Sequence, residues 1–170
     1  MHIGGGATHV SGADAYGEAL TASGGSGSLG IALGGAILPN LIVFGNLFGS
    51  GVSKPTVTIA GLGSGTSNSS VAVSGIGPGV AYYFEPINLY LSGTLAAMHV
   101  EIDDVNRHPL YQSKTGVGGQ VMVGKEWWIS QNWGLGAAVE FVAASMKDNN
   151  NSNITWTSTG FSLLFSATYN

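Results

Sequence analysis

The chain has 170 residues, enough for one domain with a core of its own. Only five Lys or Arg and nine Asp or Glu are present, whereas a soluble domain carries roughly a quarter of its residues as charges; much of this surface is therefore not built for water. A net charge of −4 with no basic cluster argues against nucleic acid as a partner, and the absence of cysteine removes disulfide frameworks and thiolate metal sites.

Glycine fills 28 positions without a strict triplet period, so collagen is excluded. No apolar run reaches the roughly 18 residues of a helical membrane span. The nearest, 29–47, is divided by Pro39-Asn40 and weakened by several glycines, and reads as a hairpin. Met1-His2 is not followed by a basic and then apolar stretch, so an exported protein is expected here in a mature or trimmed form.

Eight strand-like segments follow in order: 2–9, 26–38, 41–52, 70–84, 87–100, 115–129, 133–146 and 155–169. Short turns at 38–40, 85–86 and 130–132 alternate with polar loops at 10–25, 53–69, 101–114 and 147–154. The first segment, with Gly4, Gly5 and Gly6, alternates poorly. The second opposes Leu29, Ile31, Leu33 and Ile37 to Gly30, Ala32, Gly34 and Ala36. In the fourth, Val71 and Val73 have one parity and Ile76, Val80, Tyr82 and Phe84 the other, with Gly77-Pro78-Gly79 between them. That shift predicts a bulge between Ser74 and Gly79. The fifth sets Ile87, Leu89, Leu91 and Leu95 against Asn88, Tyr90, Ser92 and Thr94. In the last, Phe161, Leu163, Phe165, Ala167 and Tyr169 form one face up to the penultimate residue.

A period of two means that each strand has two unlike faces. The bulkier apolar face is the continuous one, and the other is small and weakly polar. A lipid-facing exterior explains this better than a soluble barrel, which points its apolar side chains inward. The predicted fold is all-β: one eight-stranded antiparallel up-and-down transmembrane barrel over 1–170. Such a barrel is just wide enough for side chains to fill it, so no open pore is expected. Asn46, Asn88, Tyr90, Gln120, Glu126 and Glu140 are the polar residues placed inside. Tyr82, Tyr83, Phe84, Trp127, Trp128, Trp133 and Tyr169 fall near short turns or the C-terminus, as an interfacial girdle would; Trp156 is assigned to the opposite girdle.

At this point the chain resembles the small eight-stranded outer-membrane proteins of the OmpA transmembrane-domain and OmpX type, over its whole length as architecture. Its glycine-rich style is also similar to that of outer-membrane proteins of the myxobacterial kind. The most specific stretch is Gly160-Phe161-Ser162-Leu163-Leu164-Phe165-Ser166-Ala167-Thr168-Tyr169, with Asn170 following the aromatic residue as a departure. It resembles the C-terminal signal read by the barrel-assembly machinery, which implies that role for Gly160, Phe161, Phe165 and Tyr169. The resemblance also implies a bacterial outer-membrane location. Members of this group serve as anchors, adhesins, protective factors or lipid-modifying enzymes, and fold does not choose among them.

Lys54, Arg107, Lys114 and Lys147 lie in the loops expected to face outward, where lipopolysaccharide phosphates would favour them. Glu101, Asp103 and Asp104 form the densest acidic cluster but lack the spacing of a calcium loop. For a lipid acyl hydrolase, His99 would be the base; Ser is missing from the His-x-Ser pattern, leaving Ser113 as the candidate nucleophile. The reading adopted is a structural or interaction protein with a plugged interior. It binds no metal or cofactor, and its outer loops are the surface for a protein partner. A lipid acyl hydrolase and a subunit of a larger assembly, packed through Gly93, Ala97 and Gly119, are the alternatives.

Overall fold

The computed structural model describes residues 1–13, 18–104, 106 and 108–169. Its strands are β1 (His2–Ala13), β2 (Ala19–Leu38), β3 (Leu41–Ser53), β4 (Thr56–Ile59), β5 (Gly63–Thr66), β6 (Ser70–Phe84), β7 (Leu89–Asp103), β8 (Pro109–Gln112), β9 (Gly116–Trp128), β10 (Trp133–Lys147) and β11 (Thr155–Tyr169). Eight of them close a ring in the order β1-β2-β3-β6-β7-β9-β10-β11, and β11 pairs back onto β1. All pairings are antiparallel. The β4–β5 hairpin is added to the long-loop end of β2, and β8 to that of β7.

Cross-strand partners fix the stagger of the ring. A row starting at Leu41 on β3 passes through Tyr82, Leu91, Val123, Val139, Leu163, Gly5 and Gly27 and returns to β3 at Gly51, ten residues further on. Closing a sheet with such a stagger tilts the strands by roughly 35–45° to the barrel axis.

Sequence parity decides which side each residue faces. Ile3, Leu29, Leu47, Ile76, Leu95, Val121, Phe141, Leu163 and Phe165 point outward and are exposed, making a continuous apolar belt. The inward side is layered. Toward the long loops, Val10, Phe48, Val52, Val71, Val73, Met98, Val100, Met146 and Trp156 pack into an apolar core. Polar residues lie below it, and Tyr90, Met122, Ala138 and Leu164 form a second cluster toward the short turns.

This layering overturns the predicted bulge. Strand β6 pairs with β3 in one unbroken register from Ser70 to Tyr82, and its register to β7 is the same on both sides of Gly77-Pro78. Val71 and Val73 point inward into the apolar core while Ile76, Val80, Tyr82 and Phe84 point outward. The apparent parity shift arises because the core makes both faces of this strand apolar.

The strands also run beyond the expected boundaries at the long-loop end. Most of 10–25 belongs to β1 and β2, which pair as far as Ala13↔Ala19, and 53–69 holds the β4–β5 hairpin. Gly, Ser and Thr suggest loops when read alone, but an adjacent strand satisfies their backbone groups just as well. Conversely, the turn before β7 takes in 85–88, because Asn88 adopts a left-handed conformation (φ 52°) that ends the strand.

Candidate functional site: a plugged interior and an ordered outer rim

The polar belt is a chain of side chains reaching across the barrel. Asn46 on β3 donates to Thr94 Oγ1 on β7 at 3.2 Å and to Gln120 Oε1 on β9 at 2.6 Å. Gln120 Nε2 in turn donates to Glu140 Oε1 on β10. Beside them, Ser28 on β2 and Ser162 on β11 share a hydrogen bond of 2.8 Å. The six residues come from six different strands, and the Asn46–Gln120 bond reaches from β3 to β9, three places away around the ring. A cavity of about 10 Å3 touches Glu140, Ser162, Thr8 and Ser50, which is room for about one water molecule.

Nearer the short turns, Glu126 is 2% exposed and accepts a hydrogen bond from Thr168 Oγ1 at 2.7 Å. Its Oε2 and the hydroxyl of Ser166 have no partner of normal hydrogen-bond geometry, although Tyr83 and Tyr90 lie close to them. Glu126 and Ser166 approach over Gly136, where a Cβ would meet both side chains. The Tyr90 ring likewise fills the space a Cβ would take at Gly124, so this ring position depends on a glycine on the neighbouring strand.

Three placements differ from the sequence expectation. Trp156 does not join an outer girdle: it is 2% exposed, packs in the apolar core against Tyr111 (ring centroids 5.8 Å apart) and donates from Nε1 to Asp148 Oδ2 at 3.1 Å. Its position next to a loop matched either side of the wall, and inward parity decides. Tyr83 also turns inward, half-buried, with its ring 5.4 Å from that of Tyr90. Asn88 is not in the interior; it sits in the turn, where its backbone carbonyl accepts from the N–H of Glu126 at 3.0 Å. The remaining rim aromatics, Tyr82, Phe84, Trp127, Trp128, Trp133 and Tyr169, are exposed around the short-turn end, with edge-to-face pairs Tyr82–Phe84 and Trp133–Tyr169.

Asp148 organises the rim at the other end. Its Oδ1 accepts from the N–H groups of Asn150 and Asn151, both at 2.8 Å, so the Asn-rich loop is a side-chain-capped turn. Burial is the largest single influence on this carboxyl and works against its charged form. Together, the N–H of Asn151, the Trp156 indole, the N–H of Asn150 and the charge of Lys114 outweigh it and hold the carboxyl below the ordinary range. This plug of Trp156, Tyr111 and Asp148 was not singled out from sequence; the inward parity of Trp156, eight residues from Asp148, was the available signal.

The charged loop residues are distributed as follows. Lys54 is exposed with a positive φ of 53°. Lys114 donates to Ser152 Oγ at 2.8 Å and Lys147 to Thr155 Oγ1 at 3.0 Å, both exposed. Arg107 lies outside the described residues. Asp104 caps its own turn, accepting from the N–H groups of Asn106 and His108, which lowers its pKa, the His108 backbone bond being the main cause. Glu101 accepts from Gln112 at 2.8 Å. Among the described residues, no three His, Asp or Glu groups converge as metal ligands.

His99 and Ser113 do meet, with Ser113 Oγ 3.4 Å from His99 Nδ1. Yet Ser113 is 5% exposed and its oxygen already accepts the N–H of Val100 at 2.9 Å. Glu101, on the same face as His99, is bonded to Gln112 and does not orient the imidazole. The hydroxyl thus holds the β7 backbone where β9 has ended. On β11, Phe161, Phe165 and Tyr169 project outward while Gly160 lies beside its ladder partner Thr8 on β1.

No protein-family model and no curated protein sequence matches the chain. Among solved structures it is similar to Neisserial surface protein A (NspA), with a TM-score of 0.56 and 16% identity, covering 99% of this chain and 96% of that one. It is also similar to the outer membrane protein OprG from Pseudomonas aeruginosa, with a TM-score of 0.51 and 13% identity over 99% and 95%. The fold is that of a small eight-stranded outer-membrane β-barrel. The apolar belt is then the surface facing lipid, and the layered interior is what the barrel wall encloses.

Proposed function

We propose that this protein spans a bacterial outer membrane as a closed structural or interaction module. Its short turns lie on the periplasmic side and its long-loop end faces outward. The observation that carries this reading is the filled interior. An apolar core capped by Trp156 and Asp148 closes the outer half, and the Asn46–Gln120–Glu140 belt lies across the middle. What the molecule offers to its surroundings is therefore its outer rim. The β4–β5 hairpin projects there and carries Leu62, 81% exposed, at its tip. An exposed apolar residue at the end of a paired hairpin suits contact with a protein partner. Lys54, Lys114, Lys147 and Arg107 suit the phosphates of lipopolysaccharide, and β11 suits recognition by the barrel-assembly machinery.

Reconstitution into a planar lipid bilayer tests the closed interior. The expected result is no stepwise ion conductance from the wild-type protein. Stable channels of uniform conductance would overturn the plugged reading and turn attention to transport.

A further inference from the structure

On the exterior of the wall, toward the long-loop end, β10, β11, β1 and β2 form an open groove of about 390 Å3. That volume lies within the roughly 300–1,000 Å3 of small-molecule sites. Phe141 and Phe161, ladder partners on β10 and β11, line one side of it. Ala7 lies beside Phe161 on β1, and Gly24 and Gly160 contribute only backbone, so the surface falls away where the Phe rings end.

Polar side chains close the groove at its outer end. Thr159, His9 and Ser23 are direct partners across β11, β1 and β2, in the next outward row after Phe161 and Ala7. Among the described residues, none of these three side chains has a hydrogen-bond partner. The row beyond is closed on itself, with Ser11 Oγ 2.6 Å from Thr157 Oγ1.

Strand length places this polar row at the edge of the membrane. Thr159 lies ten residues along β11 from Tyr169, in the aromatic rim of the short-turn end. Ten residues at a tilt of roughly 35–45° rise by about 25 Å, which is the height of the apolar band of such barrels. The groove below Thr159 therefore faces hydrocarbon, and the row itself meets headgroups. On these four strands the outward Trp and Tyr rings, Trp133 and Tyr169, are both at the short-turn end, so hydroxyls and an imidazole take the outer boundary. Among the described residues, the outward positions of these strands carry no Asp or Glu, and Lys147 stands at the outer end of β10.

We propose that this groove binds one acyl chain of a phosphorylated glycolipid of the outer leaflet. The chain lies along Phe141, Phe161 and Ala7. His9, Ser23 and Thr159 hydrogen-bond the ester or amide linkage at its head, which supplies the partners these side chains lack. The phosphate then lies beyond the polar row, on the side of Lys147, where no carboxylate of these strands opposes it. The occupant follows from position: a lipid is the molecule whose apolar chain and polar linkage meet at this level. With the long loops facing outward, the leaflet is the one that holds lipopolysaccharide.

The inference rests on the membrane-spanning reading, and one assay separates the two. The protein is reconstituted in phosphatidylcholine vesicles containing lipid A with a photoreactive diazirine at the end of one acyl chain. Parallel vesicles hold phosphatidylethanolamine labelled in the same way. After illumination, cross-linked peptides are identified by mass spectrometry. The expected result is lipid A concentrated on the peptides of β1, β10 and β11 that line the groove. His9→Ala should lower that labelling about tenfold, as loss of one strong hydrogen bond does, and Ala7→Phe, which fills the groove, by at least as much. Both positions point outward, so circular dichroism should report an unchanged barrel. Leu95→Phe, outward on β7 four places round the ring from β1, should label as wild type. Labelling spread evenly around the barrel, equal labelling by phosphatidylethanolamine, or wild-type labelling of Ala7→Phe overturns the proposal. Failure of the membrane-spanning reading shows differently, as protein that does not enter the vesicles and is labelled by neither lipid.

Discussion

Replacing Trp156 separates an interior plug from an interfacial anchor. The side chain is almost wholly enclosed, among residues such as Met146, Val10 and Tyr111, and its indole N–H satisfies Asp148. Truncation to alanine removes the largest buried side chain of the core and opens a cavity that the rigid wall cannot collapse to fill, at a cost of about 3–5 kcal/mol. Trp156→Phe retains most of the packing and loses chiefly the bond to Asp148. The carboxylate keeps its two backbone N–H donors, so the loss is about 1 kcal/mol. Equilibrium urea unfolding in lipid vesicles, followed by far-ultraviolet circular dichroism, reads both variants. The alanine variant should unfold at a clearly lower urea concentration than the phenylalanine variant, and both below wild type. If both unfold at the wild-type midpoint, Trp156 is not a core residue and the outer plug does not exist.

The other perturbations act elsewhere in the barrel. Gly124→Val places methyl groups where the Tyr90 ring lies; it should destabilise by about 1–3 kcal/mol in the same urea titration, and a Tyr90→Ala background should relieve much of that loss. Asp148 has its folded pKa held below the ordinary 3.8, so its contribution is fully present above that value and is lost as the pH falls through the lower folded one. Wild-type stability should therefore drop more steeply below about pH 4 than that of Asp148→Asn, measured by unfolding at a series of pH values.

The exterior was legible in the sequence because lipid imposes the same demand on every outward position, and a period of two reports it directly. Leu29, Ile31, Leu163 and Phe165 needed no structure to be placed. The interior was less legible because it is not uniform. Val71 and Val73 face an apolar core, so hydrophobicity stops distinguishing the two sides of β6 and mimics a bulge. Trp156 and Tyr83 show the same limit for aromatic residues: closeness to a strand end does not say which side of the wall a ring occupies, whereas counting parity along an unshifted ladder does. The polar belt depends on side chains more than 40 residues apart in sequence, Asn46 with Thr94 and Gln120, and only the ring closure brings them together.

The central claim is that alternate residues of one strand face lipid and a closed interior. Single cysteines at Leu163 and Leu164, each carrying a fluorophore, test it in vesicles containing lipids brominated along their acyl chains. Leu163 is outward and 61% exposed, Leu164 inward and 2% exposed. Strong quenching at Leu163 with little at Leu164 is the predicted result. Equal quenching at both positions, or stronger quenching at Leu164, would contradict the barrel described above.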